Sequence, residues 1–200
     1  MFELTDNLKK LIDPSCDLGV IAHGLARIGR FGGRGELYYP VLAHSIVVGS
    51  MTPWPWRIYG YLHDMAEVIV GDIGHPFKTD EQKDVEWIVH NYMLEQLGIP
   101  YPSTFHMSYI EEEVRKIDRS VVSSEAYLLH LDEVVDIEGE PDFVSVVYKS
   151  VHSYMCVRQE RWFSVDGRKA EMPSFFVRQC MDAIEVLESW PNAKVENDGC

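Results

Sequence analysis

The chain has 200 residues, 46% of them hydrophobic and 25% charged, with a formal net charge of −14. That is enough material for one buried core and too little for two, so a single domain over residues 1–200 is expected. The acidic balance excludes a nucleic-acid backbone as the main partner, because such binding is driven by clustered Lys and Arg that release counterions.

No apolar run approaches the roughly 20 residues of a membrane span, and Met1-Phe2-Glu3-Leu4 lacks the order of a signal peptide, so no membrane partner and a cytoplasmic location are expected. Cys16, Cys156, Cys180 and Cys200 are scattered, which fits a reducing compartment better than a disulfide framework or zinc finger. A small anionic substrate needs only a local cationic patch. Arg27, Arg30 and Arg34 supply one.

In chain order, a short helix follows Thr5 through Leu8, Leu11 and Ile12 and closes at Pro14. A second starts from Asp17 as N-cap, with Leu18, Ile21, Leu25 and Ile28 on one face, and stops at Gly29. The turn Arg30-Phe31-Gly32-Gly33-Arg34-Gly35 has too many glycines for a helix and reads, on these residues alone, as a solvated connector. After Pro40, one helix face carries Val41, His44, Val47, Val48 and Met51, so His44 points inward. For a lone inward histidine a hydrogen-bonded core role is commoner than metal ligation, and it is a second histidine at 63 that raises the ligand reading.

Beyond Pro53 and Pro55, the spacing of Ile58, Leu62, Ala66 and Ile69 predicts one helix, ended by Gly71 and Pro76. Glu67 lies one turn beyond both His63 and Asp64 on it. An imidazole and two carboxylates thus converge in an apolar segment, which is costly unless a metal, a proton relay or mutual hydrogen bonding compensates. A loop from Gly71 to Lys78 follows, then an amphipathic helix from about Glu81 to Leu97, ended by Gly98 and Pro100.

The longest helical pattern runs from about Met107 to His130 over Ile110, Val114, Ile117, Val121 and Val122, with Asp118 and then Glu125 on the same face. Residues Asp132 to Asp142 read as an acidic surface loop and Phe143 to Met155 as a helix. Trp162 to Pro173 reads as a turn with an extended pair, and Ser174 to Trp190 as a last helix burying Phe176, Cys180, Ile184 and Leu187. The tail from Pro191 should fray. No strand pattern is sustained, and the fold class is all-α, a helical bundle.

The inward polar groups are His44, His63, Asp64 and Asp118, with Glu67 and Asp72 nearby. Two imidazoles and two carboxylates are too rich in nitrogen for magnesium or calcium as first choice, and they lack the thiolates of structural zinc. Manganese, cobalt, iron or catalytic zinc would suit. Such an ion lowers the pKa of bound water, which points to hydrolysis.

The runs Ile21-Ala22-His23 to Arg30-Phe31-Gly32-Gly33, His44-Ser45, His63-Asp64-Met65-Ala66-Glu67, Gly71-Asp72-Ile73 to Pro76-Phe77-Lys78, and Val114-Arg115-Lys116-Ile117-Asp118 to Glu125 together resemble the HD-domain superfamily of metal-dependent phosphohydrolases. The likeness is to its small deoxynucleotidase branch, which includes bacterial 5′-deoxynucleotidases and phage dATP triphosphohydrolases. It covers roughly residues 20–130 and leaves 140–190 as a helical extension.

The resemblance implies an HD-domain bundle in which His44, His63, Asp64 and Asp118 hold a divalent Co, Mn, Zn or Fe ion. Glu67 and Asp72 become the acid and base pair around the attacking water. Arg30 and Lys78 would hold phosphate oxygens, and Phe31, where the bacterial enzymes have tryptophan, would pack on sugar or base. The implied substrates are 2′-deoxynucleotides, deoxyadenosine phosphates favoured, and the implied assembly is a homo-oligomer. Gly74-His75 departs from the small polar pattern before the proline. The competing readings are a cyclic-nucleotide or alarmone phosphodiesterase on the same scaffold and a nucleotide sensor without turnover.

Overall fold

The computed structural model describes residues 4–34, 38–74, 77–100, 104–129 and 171–189. They form helices α1 (Asp6–Ile12), α2 (Leu18–Leu25), α3 (Val41–Met51), α4 (Arg57–Leu62), α5 (Glu67–Val70), α6 (Asp80–Gln96), α7 (Thr104–Leu128) and α8 (Glu171–Ser189). Among the described residues there is no strand, only an isolated bridge between Gly29 and Pro40, so the fold is an all-α bundle. Readings made for residues 130–170 and for the tail after 189 lie outside the described residues.

The helix starts are chemical. Thr5 Oγ1 accepts from Leu8 N, Asp17 Oδ1 accepts from Gly19 N at 2.8 Å and Val20 N at 3.0 Å, and Thr79 forms a reciprocal capping box with Gln82. Each cap contributes about 1 kcal/mol by satisfying amides that the first turn leaves free.

At the centre stands α3, buried on every side from Val41 to Gly49 and packed most extensively on α4. A Cβ built on Gly49 would sit 2.0 Å from Tyr61 Cδ1, and one on Gly60 would sit 2.1 Å from Thr52 Oγ1 and 3.0 Å from Gly49 Cα. Two glycines therefore let the α3 and α4 backbones approach more closely than any side chain permits. Helix α8 lies across α2, α3 and α4 and buries Phe176, Cys180, Ala183 and Leu187. Its Phe176 meets Tyr61 edge-on at 6.2 Å, and Tyr61 Oη donates to Gln179.

Three expectations are corrected. The helix expected through Ile58 to Ile69 breaks between α4 and α5: Met65 N bonds Leu62 O and Glu67 N bonds Asp64 O, three residues back rather than four. Such tighter winding rotates successive side chains off the α-helical face. Helix α2 ends at Leu25, because Arg27 N and Ile28 N also take three-residue bonds. Helix α8 begins at Glu171, inside the stretch read as extended, since Pro173 in a first turn removes no helical hydrogen bond.

Candidate metal centre

The two histidines arrive from the two helices that the glycines bring together. His44 is on α3 with no exposed surface, and His63 directly follows α4. Their Nε2 atoms face each other at 3.1 Å. Each ring is fixed from behind: His63 Nδ1 donates to Gly60 O at 2.8 Å, and His44 Nδ1 donates to Glu125 Oε1 at 2.9 Å. With both Nδ1–H groups committed outward, both Nε2 atoms are turned to one point.

Asp118 Oδ1 on α7 lies 2.9 Å from His44 Nε2 and 3.8 Å from His63 Nε2. Asp64 Oδ2 lies 3.2 Å from His63 Nε2 and 3.6 Å from His44 Nε2, and it is buried without a hydrogen bond. Ligand atoms about 2.1 Å from a shared ion, at angles of roughly 90–110°, stand about 3.0–3.4 Å apart. The observed separations bracket that range. His44, His63 and Asp118 thus form a group that could hold a metal ion, and the orphaned Asp64 oxygen faces the same two nitrogens.

The electrostatics match. Burial and the Arg30 charge oppose protonation of His44, yet the Glu125 and Asp118 carboxylates hold its pKa at about 10. Burial likewise opposes ionisation of Asp64 and Asp118, but the two imidazoles win, and Arg30 adds to the effect on Asp64, so both carboxyls lie below their usual range. A strong positive charge, proton or metal, belongs between these groups.

Glu67 opens α5 and is 4% exposed, with its Oε2 buried and without a partner. Burial first, then the neighbouring Asp64 and Asp72 charges, push its pKa up to about 9. Asp72 in the following loop is raised as well, chiefly by burial, with Arg30 opposing.

The glycine turn is a solvated connector only in part: Gly32, Gly33 and Arg34 are exposed, whereas Arg30 and Phe31 turn inward. Its ends are pinned by Arg30 N to Tyr39 O at 2.8 Å and Val41 N to Ile28 O at 2.9 Å, and the Arg30 side chain is only 11% exposed. Arg30 Nη1 lies 3.6 Å from Asp64 and Nη2 3.5 Å from Glu125, while Nε is buried without a partner. Phe31 adopts φ 55° and ψ 27°, a left-handed conformation uncommon for a bulky residue, and its ring lies 5.5 Å from the Arg30 guanidinium carbon. Lys78 is committed to an ion pair with Glu86 on α6. His75 lies outside the described residues.

Two contributors carried no assignment from sequence. Glu125, fully buried, backs both His44 and Arg30; its signals were the seven-residue offset from Asp118, two turns along one face, and its place at the end of the last motif run, neither of which gave it a role. His90 on α6 donates from Nε2 to Leu62 O at 3.1 Å, bracing the break that aims His63, and burial lowers its pKa.

No family model matches the chain. It is similar to an uncharacterized protein of Rhodobacter capsulatus, at 34% identity over 81 residues. That match covers 34% of this chain and 41% of the relative, so the chain spans less than half of the protein it matches.

Proposed function

We propose that the chain is an HD-type metal-dependent phosphohydrolase that removes phosphate or triphosphate from 2′-deoxynucleotides. The observation that carries the reading is the convergence of two imidazole Nε2 atoms and two carboxylates whose pKa values are held low, with a buried Glu67 whose pKa is pushed up and the Arg30 guanidinium beside them. Groups with pKa values pushed in opposite directions and gathered round a cation site are the usual signature of acid–base chemistry.

His44, His63, Asp64 and Asp118 would hold a divalent transition ion, which when bound supplies a Lewis acid that polarises a phosphoryl oxygen and acidifies water. The remaining steps belong to side chains. As water forms a bond to phosphorus and the ester oxygen leaves, Glu67 Oε2 delivers a proton to that oxygen, and the Asp72 carboxylate accepts one from water. Arg30 offsets charge spread over the phosphate oxygens, where phosphoryl transfer needs it. Lys78 joins it only by leaving Glu86.

Phe31 presents an apolar face that cannot hydrogen-bond a ribose 2′-hydroxyl, and burying that hydroxyl unpaired costs about 1–3 kcal/mol, or roughly ten- to a hundredfold in favour of deoxyribose. The preference for deoxyadenosine phosphates rests on the family resemblance alone.

The test is a panel of deoxynucleoside mono-, di- and triphosphates, with cyclic nucleotides and alarmones alongside, in manganese or cobalt. Turnover of a deoxynucleotide, lost in Glu67→Gln with metal retained, is the expected result. Tight nucleotide binding without turnover would replace the enzyme by a sensor, and turnover of cyclic nucleotides or alarmones alone would move it to the phosphodiesterase reading.

A further inference from the structure

We infer that Glu125 is a positioning residue whose two carboxylate oxygens tie the metal centre to the phosphate-binding arginine. The inference rests on the metal reading above. Oε1 accepts from His44 Nδ1 at 2.9 Å, and Oε2 faces Arg30 Nη2 at 3.5 Å. The other arm of the same guanidinium, Nη1, lies 3.6 Å from Asp64 Oδ2, which in turn lies 3.6 Å from His44 Nε2. Glu125, His44, Asp64 and Arg30 therefore form a closed ring drawn from α7, α3, the α4–α5 break and the glycine turn.

Glu125 is fully buried, and a buried ionised pair is often no more stabilising than an apolar replacement. Its place in the core is accounted for by what its two oxygens hold. One oxygen keeps the proton of His44 on Nδ1, leaving Nε2 free to ligate. The other holds the guanidinium beside the centre, with Nε unpartnered. The neighbouring serines do not compete for these oxygens, because Ser120, Ser123 and Ser124 each donate to the carbonyl four residues back on α7.

A carboxylate offers two acceptors and an amide only one, so Glu125→Gln must abandon either His44 or Arg30 while keeping size and shape. The experiment titrates Co²⁺ alone into parent and Glu125→Gln, followed by the cobalt visible absorption, and then titrates inorganic phosphate into the cobalt-loaded proteins. Melting checks that the variant folds. We expect ten- to a hundredfold weaker Co²⁺ binding if the amide turns from His44, the range for loss of a partner behind a metal ligand. If the amide oxygen stays on His44, phosphate binding weakens instead, by roughly tenfold, and that loss vanishes in an Arg30→Met background.

A folded Glu125→Gln that binds both probes within twofold of the parent overturns the inference. A parent that binds no Co²⁺ overturns the metal reading, and the Glu125 inference with it. Should the variant not fold, nitrogen-edited spectra of the zinc-loaded parent decide: a slowly exchanging His44 Nδ1 proton with Nε2 coordinated supports the assignment, and coordination through Nδ1 or a freely exchanging proton overturns it.

Discussion

Replacing Gly49 by alanine should separate α3 from α4 and pull apart the His44–His63 group of the candidate metal centre from about a turn and a half away. The added Cβ would lie 2.0 Å from Tyr61 Cδ1 and 2.3 Å from Cγ. Relief to an ordinary carbon contact of about 3.5 Å needs a shift of about 1.5 Å. The ring cannot supply it, since Tyr61 is 1% exposed and held by Phe176 and Gln179, so the helices must move. Overpacking of this kind costs about 2 kcal/mol or more, which in a domain of this size lowers Tm by about 4–8 °C. The functional effect is sharper, because His44 rides on α3 and His63 follows α4, and a metal site tolerates only about 0.2 Å. Calorimetry with and without Co²⁺ measures both effects: a lower Tm in the chelated protein, and a cobalt increment that shrinks by at least about 1.4 kcal/mol, the equivalent of tenfold weaker binding. Gly74→Ala is the control, where among the described residues only Phe77 Cδ2 comes near the Cβ, at 3.8 Å. If Gly49→Ala melted with the parent and bound cobalt equally well, the close approach of the two helices would not be what sets the centre.

Metal binding should be proton-coupled. His44, held at about 10 in the folded protein against about 6.5 unfolded, gives the metal-free protein stability that is fully present below pH 6.5 and lost as pH rises towards 10. An ion that replaces the Nε2 proton should therefore bind about tenfold more tightly per pH unit, and the gain in Tm on adding Co²⁺ should be larger at pH 8.5 than at 6.5; an equal gain would contradict the assignment. Phe31→Ala should lower the ratio of dATP to ATP turnover by about tenfold, and an unchanged ratio would remove Phe31 from sugar choice. Asp17→Ala, which removes the acceptor for Gly19 N and Val20 N, should cost about 1 kcal/mol in a urea melt and leave Co²⁺ affinity unchanged.

Helical class, most element positions and the polar residues of the centre were legible in the sequence because their signals are local. Periodicity, the Asp17 cap and the terminating Gly98 each act within a turn or two, and an inward His44 or Asp118 stands out against the apolar stripe it interrupts. What the sequence could not decide depends on partners far along the chain. The break after α4 lies inside an unbroken helical period, yet it is what sends His63 and Asp64 to the same point as His44. Placement of the Arg30 side chain inside the protein follows from the pinning of its backbone to Tyr39 and its pairing with Asp64 and Glu125, the latter 95 residues away. Lys78, which the resemblance implies as a phosphate-binding cation, is paired with Glu86, a side chain on the next helix. Gly49 and Gly60 are unremarkable apart and matter only because packing sets their backbones against each other. Local chemistry wrote the elements and marked the inward polar side chains; the close approach of α3 to α4, and the carboxylates of α7 brought against it, gathered those side chains into one cluster.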